Sequence, residues 1–86
     1  MTGQLSLEVI ENDLIQFLRE SIVTEALEFN NITPLNSLGI DSFNLIQILL
    51  FIERRFKVSL PDTALTQENL KSVAAIALCV HNVAQQ

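Results

Sequence analysis

The stretch LNSLGIDSF, residues 35–43, determines how the rest of the chain is expected to fold. Gly39 is predicted to end a short helix or turn, because glycine adopts a positive φ at little cost. Asp41 then occupies the N-cap or first-turn position of a following helix, where a carboxylate faces the positive end of the helix dipole. Ser42 comes next, so we expect its hydroxyl at the start of that helix and in solvent.

The apolar stretch behind this turn predicts a long helix from about Asp41 to Phe56. On a helical wheel, a core face groups Leu45, Ile48, Leu49, Ile52 and Phe56. The opposite arc carries Phe43, Ile46, Gln47, Leu50 and Arg54. A helix that is apolar on nearly all sides is either buried on several sides or has an exposed apolar surface that binds a partner.

Two further long helices flank this one. Ser6 is a predicted N-cap, and apolar residues recur at helical spacing from Leu7 to Phe29. Ser72 is predicted to cap a last helix that starts at Val73 and continues to Val83 or Ala84. These patterns predict helices long enough to form the walls of a small bundle.

Short helical turns are expected in the connections. Thr33 as N-cap and Pro34 as first helical residue predict one short turn before Gly39. Residues 61–65 predict another. With three long helices, a short third helix and no strand signal, the sequence indicates an all-α fold, a small four-helix bundle. Residues 1–86 are expected to form a single domain.

Composition and charge narrow the function. The chain has 86 residues, a net charge of −5 and one cysteine, so an internal disulfide is excluded and a cytoplasmic location is expected. In the first thirty residues, Arg19 is the single base and the acids are Glu8, Glu11, Asp13, Glu20, Glu25 and Glu28. Nucleic-acid binding is not expected, since it needs a basic stripe, and anionic membranes are disfavoured for the same reason.

Four segments occur in the order and spacing of a known family. They are Leu38-Gly39-Ile40-Asp41-Ser42, then Ile52-Glu53 with Phe56, then Leu60-Pro61-Asp62, and Leu70-Lys71-Ser72-Val73 at the start of the last helix. In this pattern the chain resembles the acyl carrier protein family, whose four-helix fold has a short third helix. The resemblance extends over nearly the whole chain from Leu35 to Val80 and is weaker in the first helix.

The resemblance implies a covalent cofactor and a set of partners. A phosphopantetheinyl transferase that uses coenzyme A would attach 4′-phosphopantetheine to Ser42, and Asp41 would help to dock that enzyme and its magnesium. The thiol of the arm would hold acyl groups as thioesters and present them to acyl-loading and condensing enzymes of a synthase. The chain itself would be a non-catalytic carrier, and we expect a monomer.

Departures from the family pattern bear on the pathway. Phe43 stands where the family usually has leucine, which affects recognition by a given transferase. Asn44, Gln47 and Arg54 occupy places where the second helix usually has acids. Ile40 stands where peptidyl carriers usually have a second glycine. These differences favour a polyketide or hybrid peptide–polyketide pathway over the alternative, housekeeping fatty acid synthesis.

The outward arc of the second helix is the expected partner-binding surface. Its residues are Phe43, Ile46, Gln47, Leu50, Glu53 and Arg54. Phe43 could also be a core residue, although its place opposite the core arc favours partner contact, and the sequence does not decide the role of Phe51. The competing function is a helical interaction module with the same fold that is never modified.

Other candidate sites have simpler interpretations. A catalytic Ser42 would need a base, and the single histidine, His81, is expected at the C-terminal end of the last helix. Cys79 is interpreted as a small core residue. Because the spacing of His, Cys and acidic residues fits no metal-ligand pattern, no metal site is predicted. Short, well-capped ends favour a free-standing protein.

Overall fold

The computed structural model describes residues 6–23 and 28–85, and these ranges contain helices and connecting turns without a β-strand. The three α-helices are α1, Leu7–Phe17, α2, Ser42–Phe56, and α3, Val73–Ala84. Tight 3₁₀ turns occur at Leu35–Leu38 and Asp62–Ala64. The all-α fold is confirmed. The expected short third helix is present as one turn of 3₁₀ helix, Asp62–Ala64.

Helix α1 is shorter than its sequence pattern predicts. It begins as expected, because the Ser6 hydroxyl accepts a hydrogen bond from the Val9 amide at 3.1 Å. It ends at Phe17 and continues as one wide π-helical turn, Leu18–Ile22, which closes when the Val23 amide donates to the Leu18 carbonyl at 2.7 Å. Val23 is extended, so the helix does not run unbroken to Phe29; residues 24–27 lie outside the described ranges.

Local propensity contributes to this break but is not sufficient to cause it, because the β-branched residues Val9, Ile10 and Ile15 lie within α1. Ile22 and Val23 are β-branched, and such side chains lose χ1 freedom against the preceding helical turn. Both nevertheless pack with the apolar residues of the protein, as does Phe29, which is buried although it lies in a connection. The helical spacing of apolar residues therefore predicted correctly that Ile22, Val23 and Phe29 pack with the core. It predicted wrongly that the helix continues to Phe29.

The core lies between the three helices, and α1 packs most closely against α3. The side chains that are almost fully buried are Ile10, Leu14, Leu18, Ile48, Ile52, Ile76, Val73 and Val80. Of the five residues predicted for the core face of α2, Ile48, Ile52 and Phe56 are buried, whereas Leu45 and Leu49 are half-buried at its margin. The predicted side of α2 thus faces the core, but fewer of its residues are fully buried than expected.

Two backbone hydrogen bonds tie the long connection after residue 28 to the region around the start of α3. The Leu35 amide donates to the Lys71 carbonyl at 2.9 Å, and the Ala74 amide donates to the Asn31 carbonyl at 2.7 Å. The predicted cap at Thr33 is wrong, because the Thr33 hydroxyl accepts from the Asn30 amide at 3.0 Å and the turn begins after Pro34. These bonds fix the position of the turn that precedes Gly39.

Cys79 differs from its predicted core position. Its side chain is half-buried, on the side of α3 that lines an open groove with Leu78 and Val83. Partial burial raises the pKa of the Cys79 thiol above its usual value, since the thiolate is the form that loses solvation. Its neighbours in the sequence are apolar, but the core side of α3 is occupied by Ile76, Ala77 and Val80.

Within residues 6–23 and 28–85, none of the helices combines the length and the apolar character that crossing a bilayer requires.

Gly39 and Lys57 both adopt left-handed backbone conformations, with φ of 76° and 58°. Gly39→Ala should lower the free energy of unfolding by about 1 kcal/mol, because a Cβ is unfavourable at this φ. Apart from the two neighbours of Gly39 in the chain, no atom of residues 6–23 and 28–85 would lie within 4 Å of that Cβ, so the cost is in the backbone alone. Lys57→Gly should raise the free energy of unfolding by up to about 1 kcal/mol, less the added entropy of the unfolded chain. Urea unfolding of both variants tests this, and a change of the same sign in both would contradict it.

Candidate functional site

The site is built on the turn that delivers the chain into α2. The 3₁₀ turn Leu35–Leu38 buries Leu35 and ends at Gly39, whose amide donates to the Asn36 carbonyl at 3.3 Å. Ile40 then enters the core, 8% exposed, and its amide approaches the Leu35 carbonyl at 3.4 Å. A buried residue on each side of the left-handed glycine fixes the direction in which the chain emerges at Asp41.

Asp41 forms a reciprocal N-terminal cap with Asn44. Its carboxylate accepts a hydrogen bond from the Asn44 amide at 3.0 Å, and the Asn44 side-chain oxygen accepts from the Asp41 amide at 3.2 Å. This pair is a capping box, which satisfies two backbone donors that the helix would otherwise leave free. The Asn44 side chain also donates to Gln47 at 3.0 Å, so the first turn of α2 is held on both sides. The predicted N-cap at Asp41 is confirmed.

Ser42 is the first residue of α2 and its side chain is exposed. The rigid cap therefore presents a hydroxyl at a helix N-terminus, where unpaired amides and the helix dipole favour a negatively charged group. A phosphodiester on this oxygen would need room and a positive electrostatic environment. The exposed Ser42 side chain has room, and the start of α2 supplies the partial positive charge of a helix N-terminus beside the Asp41 carboxylate, so the residues present can accommodate a phosphate-linked group.

An open groove lies beside this helix start. Its volume is about 550 Å³, and it runs between the 3₁₀ turn Leu35–Leu38, the beginning of α2 and the segment 65–71. The apolar side chains along it are Leu35, Ile40, Leu45, Leu65 and Leu70. The groove has space for a slender apolar chain near Ser42.

The outward arc of α2 carries three exposed apolar side chains, and Phe43 is 67% exposed, Ile46 55% and Leu50 47%. Gln47 is half-buried, while Glu53 and Arg54 are exposed. Glu53 accepts a hydrogen bond from the Ser59 hydroxyl at 3.1 Å. The structure thus brings the six predicted surface residues onto one side of α2, beginning next to Ser42.

Two aromatic rings, one from α1 and one from α2, form a second feature. Phe17 stacks on Phe51 with ring centroids 4.4 Å apart, and Phe51 meets the edge of buried Phe56 at 6.0 Å. Stacked and edge-to-face pairs of this kind stabilise packing beyond simple burial. The role of Phe51, which the sequence leaves undecided, is therefore to join α2 to α1.

His81 offers no support for a catalytic serine. It is half-buried in the last turn of α3, as predicted, and its Nε2 lies 3.1 Å from the Nε2 of Gln85, the residue that follows the helix. Ser42 begins α2, and the residues that hold its neighbourhood are Asp41 and Asn44. The arrangement around Ser42 therefore supplies an exposed hydroxyl on a fixed helix start.

Sequence reasoning misses three participants in these surfaces. Asn44 completes the cap, and the Asp-x-x-Asn spacing of residues 41–44 could have indicated it, by analogy with the capping-box pattern. Phe17 of α1 and Arg55 of α2 line the same groove, but this depends on how the two helices pack, and the sequence of neither helix alone reveals it.

The chain was compared with known proteins. Residues 12–80 match the protein-family model described as "phosphopantetheine attachment site". The match spans most of the chain and includes the turn at Gly39, the cap at Asp41 and the start of α2. The comparison with curated proteins found no significant match.

Proposed function

We propose, since the chain belongs to the phosphopantetheine attachment site family, that Ser42 is the residue that bears the 4′-phosphopantetheine of this carrier protein. Domains of this family are attachment sites for that prosthetic group. The observation that carries the proposal is the position of Ser42, exposed as the first residue of α2 behind a rigid Asp41–Asn44 cap. The matched range also includes this residue.

The attachment reaction fits the geometry. The Ser42 hydroxyl oxygen would attack the phosphorus of coenzyme A that is bonded to the pantetheine oxygen. The new oxygen–phosphorus bond would replace the pyrophosphate bond, adenosine 3′,5′-bisphosphate would leave, and the serine proton would pass to the transferase or to solvent. The role of Asp41 is to hold the start of α2 and to dock the transferase. The negative charge of the product would remain beside the positive end of α2.

The chain would act as a non-catalytic carrier, and we propose that residues 1–86 work as one monomeric carrier domain in the cytoplasm. The bound group supplies a terminal thiol that holds acyl intermediates as thioesters. The residues of this chain would present that thiol and shelter part of the cargo. The groove that borders the start of α2 is where an acyl chain would lie; apolar Ile40, Leu45 and Leu70 line it together with polar residues such as Gln67 and Lys71.

We place the carrier in a polyketide or hybrid peptide–polyketide pathway, with acyl-loading and condensing enzymes as its partners. Support comes from the surface of α2, where Asn44, Gln47 and Arg54 replace the acids usual in the family. Asp41 and Glu53 are balanced by Arg54 and Arg55, so the segment from the cap to Phe56 carries no net charge. Housekeeping fatty acid synthesis is the alternative.

Recognition by a partner enzyme should depend on apolar contact with the outward arc of α2. Phe43→Ala or Leu50→Ala should weaken binding more than Glu53→Gln, because buried apolar anchors usually outweigh charges at the rim. Raising the salt concentration from about 50 to about 500 mM should change the affinity only a few-fold, since the segment from Asp41 to Phe56 has no net charge and exerts little long-range attraction. Calorimetric titration of the modified protein with a condensing enzyme measures both effects. A steep salt dependence together with a dominant Glu53 effect would contradict this interpretation.

The proposed attachment is tested by incubating the purified chain with coenzyme A and a broad-specificity phosphopantetheinyl transferase. Intact mass spectrometry should show the addition of one phosphopantetheine, and peptide fragmentation should place it on Ser42. The same mass measured on protein isolated from its host gives an independent answer. Absence of the added mass with several transferases and in the host would leave an unmodified interaction module as the function.

A further inference from the structure

We propose that the groove between α1 and α2 is a docking site for an acidic amphipathic helix of a partner enzyme. The groove has a volume of about 440 Å³ and is lined by Phe17, Gln47, Leu50, Phe51, Arg54 and Arg55. The inference rests on the proposed carrier function for the kind of partner, an enzyme that handles the group on Ser42. Its binding chemistry depends on the groove residues alone.

The shape of the groove favours a helix. Its lining on α2 is Gln47, Leu50, Phe51, Arg54 and Arg55, and the first four of these have the i, i+3, i+4, i+7 spacing of one helical stripe. The stacked rings of Phe17 and Phe51 supply the aromatic part of this lining, the floor of the groove in the proposed binding mode, and both residues are half-buried. A helix laid along such a groove places its own apolar stripe on the floor, which is the helix-in-groove mode of recognition.

The charges of the groove favour an acidic partner. Arg54 and Arg55 line it, and no lining residue is acidic. Arg55 Nε lies 3.1 Å from Asp13 Oδ2, and the Arg55 side chain is still 58% exposed, so its guanidinium can donate to a second carboxylate. Arg54 is exposed and has no ion pair within the described part of the chain. Guanidinium groups bind carboxylates through bidentate hydrogen bonds, which fix the orientation of the partner's carboxylate as well as attracting it.

The chain as a whole has a net charge of −5, which repels an acidic partner at a distance. At physiological ionic strength this repulsion is screened beyond about 8 Å, whereas carboxylates in contact with Arg54 and Arg55 are screened much less. A second copy of the chain suits the groove less well. In a two-fold symmetric pair the same surface meets itself, which would oppose the arginines of one copy to those of the other.

The groove adjoins the surface formed by Phe43, Ile46 and Leu50, and Leu50 belongs to both. A partner helix in the groove would therefore lie along the side of α2 that begins at Ser42. A docked partner would therefore be close to the group on Ser42, although the group itself is not needed for the peptide to bind.

The test uses a synthetic, fluorescein-labelled, 15-residue helical peptide with a leucine stripe flanked by glutamates. The control peptide has lysine at each glutamate. Fluorescence polarisation measures affinity, and ¹⁵N–¹H spectra of the full chain locate the contact. We expect the acidic peptide to bind and to shift the signals of the groove residues, and the basic peptide to bind at least about tenfold more weakly.

Arg54→Glu should weaken binding of the acidic peptide by about tenfold, because it replaces attraction by repulsion. Lys57→Glu is the matched control, since it makes the same charge change just beyond the end of α2 and outside the groove lining. It should change the affinity by less than about threefold. Circular dichroism of both variants verifies that each retains its helices.

Three results would overturn the proposal. They are equal binding of the two peptides, no binding of the acidic peptide at about 1 mM, and self-association of the chain through these residues. Ser42 modification, measured by mass on the same variants, separates this inference from the proposed function. If Arg54→Glu is modified normally and the acidic peptide does not bind wild type, the groove assignment fails and the carrier function stands. If the acidic peptide binds but Ser42 is never modified, the groove assignment stands and the proposed carrier function fails.

Discussion

Ser42→Ala is expected to abolish attachment of phosphopantetheine while leaving the fold intact. The substitution removes the oxygen that forms the bond to phosphorus, so the loss should be complete. Because Asp41 and Asn44 make the cap through their own side chains and amides, α2 should begin at the same residue without the serine hydroxyl. Intact mass after incubation with coenzyme A and transferase measures the loss, and far-ultraviolet circular dichroism verifies the helices.

Ser37→Ala is the matched control for this substitution. Ser37 is another exposed serine, five residues earlier, and its hydroxyl donates to the Pro34 carbonyl at 2.7 Å. This variant should accept the group at the wild-type level. An added mass on Ser42→Ala would show that another residue bears the group, and loss of modification in Ser37→Ala would show that the preceding turn is needed.

The turn and the first residues of α2 could be predicted from the sequence because local interactions determine them. Gly39 has a conformation that few other residues tolerate, and Asp41 caps through a residue three positions away. Family resemblance then assigns meaning to Ser42. The turn and the cap each depend on a window of only a few residues, whereas the resemblance depends on the order and spacing of four segments between Leu38 and Val73. None of these inferences requires knowledge of how distant elements pack.

Features that depend on packing could not be predicted in the same way. Residues at helical spacing from Leu7 to Phe29 suggest one long helix, yet Val23 is extended and Phe29 is buried from a connection. Residues that are buried outside a helix, such as Val23 and Phe29, are apolar just as helical core residues are, so the sequence pattern does not distinguish the two cases. The Phe17–Phe51 stack and the pair of arginines beside it arise only where α1 meets α2. Periodicity within one helix cannot reveal a groove between two.

Ile52→Ala is expected to lower the free energy of unfolding by about 2–5 kcal/mol. Ile52 is 0% exposed, so the substitution removes buried methyl and methylene groups and leaves a cavity in the centre of the core. A small domain of this kind has a stability of the order of 5 kcal/mol, so the variant should be partly unfolded in water. Urea unfolding followed by circular dichroism measures the change.

Helix α2 supplies its own controls for this measurement. Leu50→Ala changes a side chain that is 47% exposed and should cost less than about 1 kcal/mol. Leu49→Ala, at the half-buried margin of the core, should fall between the two. If Ile52→Ala does not fold, Ile52→Val keeps the test possible, with an expected cost of about 0.5–1.5 kcal/mol. Equal costs for Ile52→Ala and Leu50→Ala would contradict the assignment of the core face. In the expected order, the cost falls as exposure rises, because these side chains share one helix and differ chiefly in the direction they face.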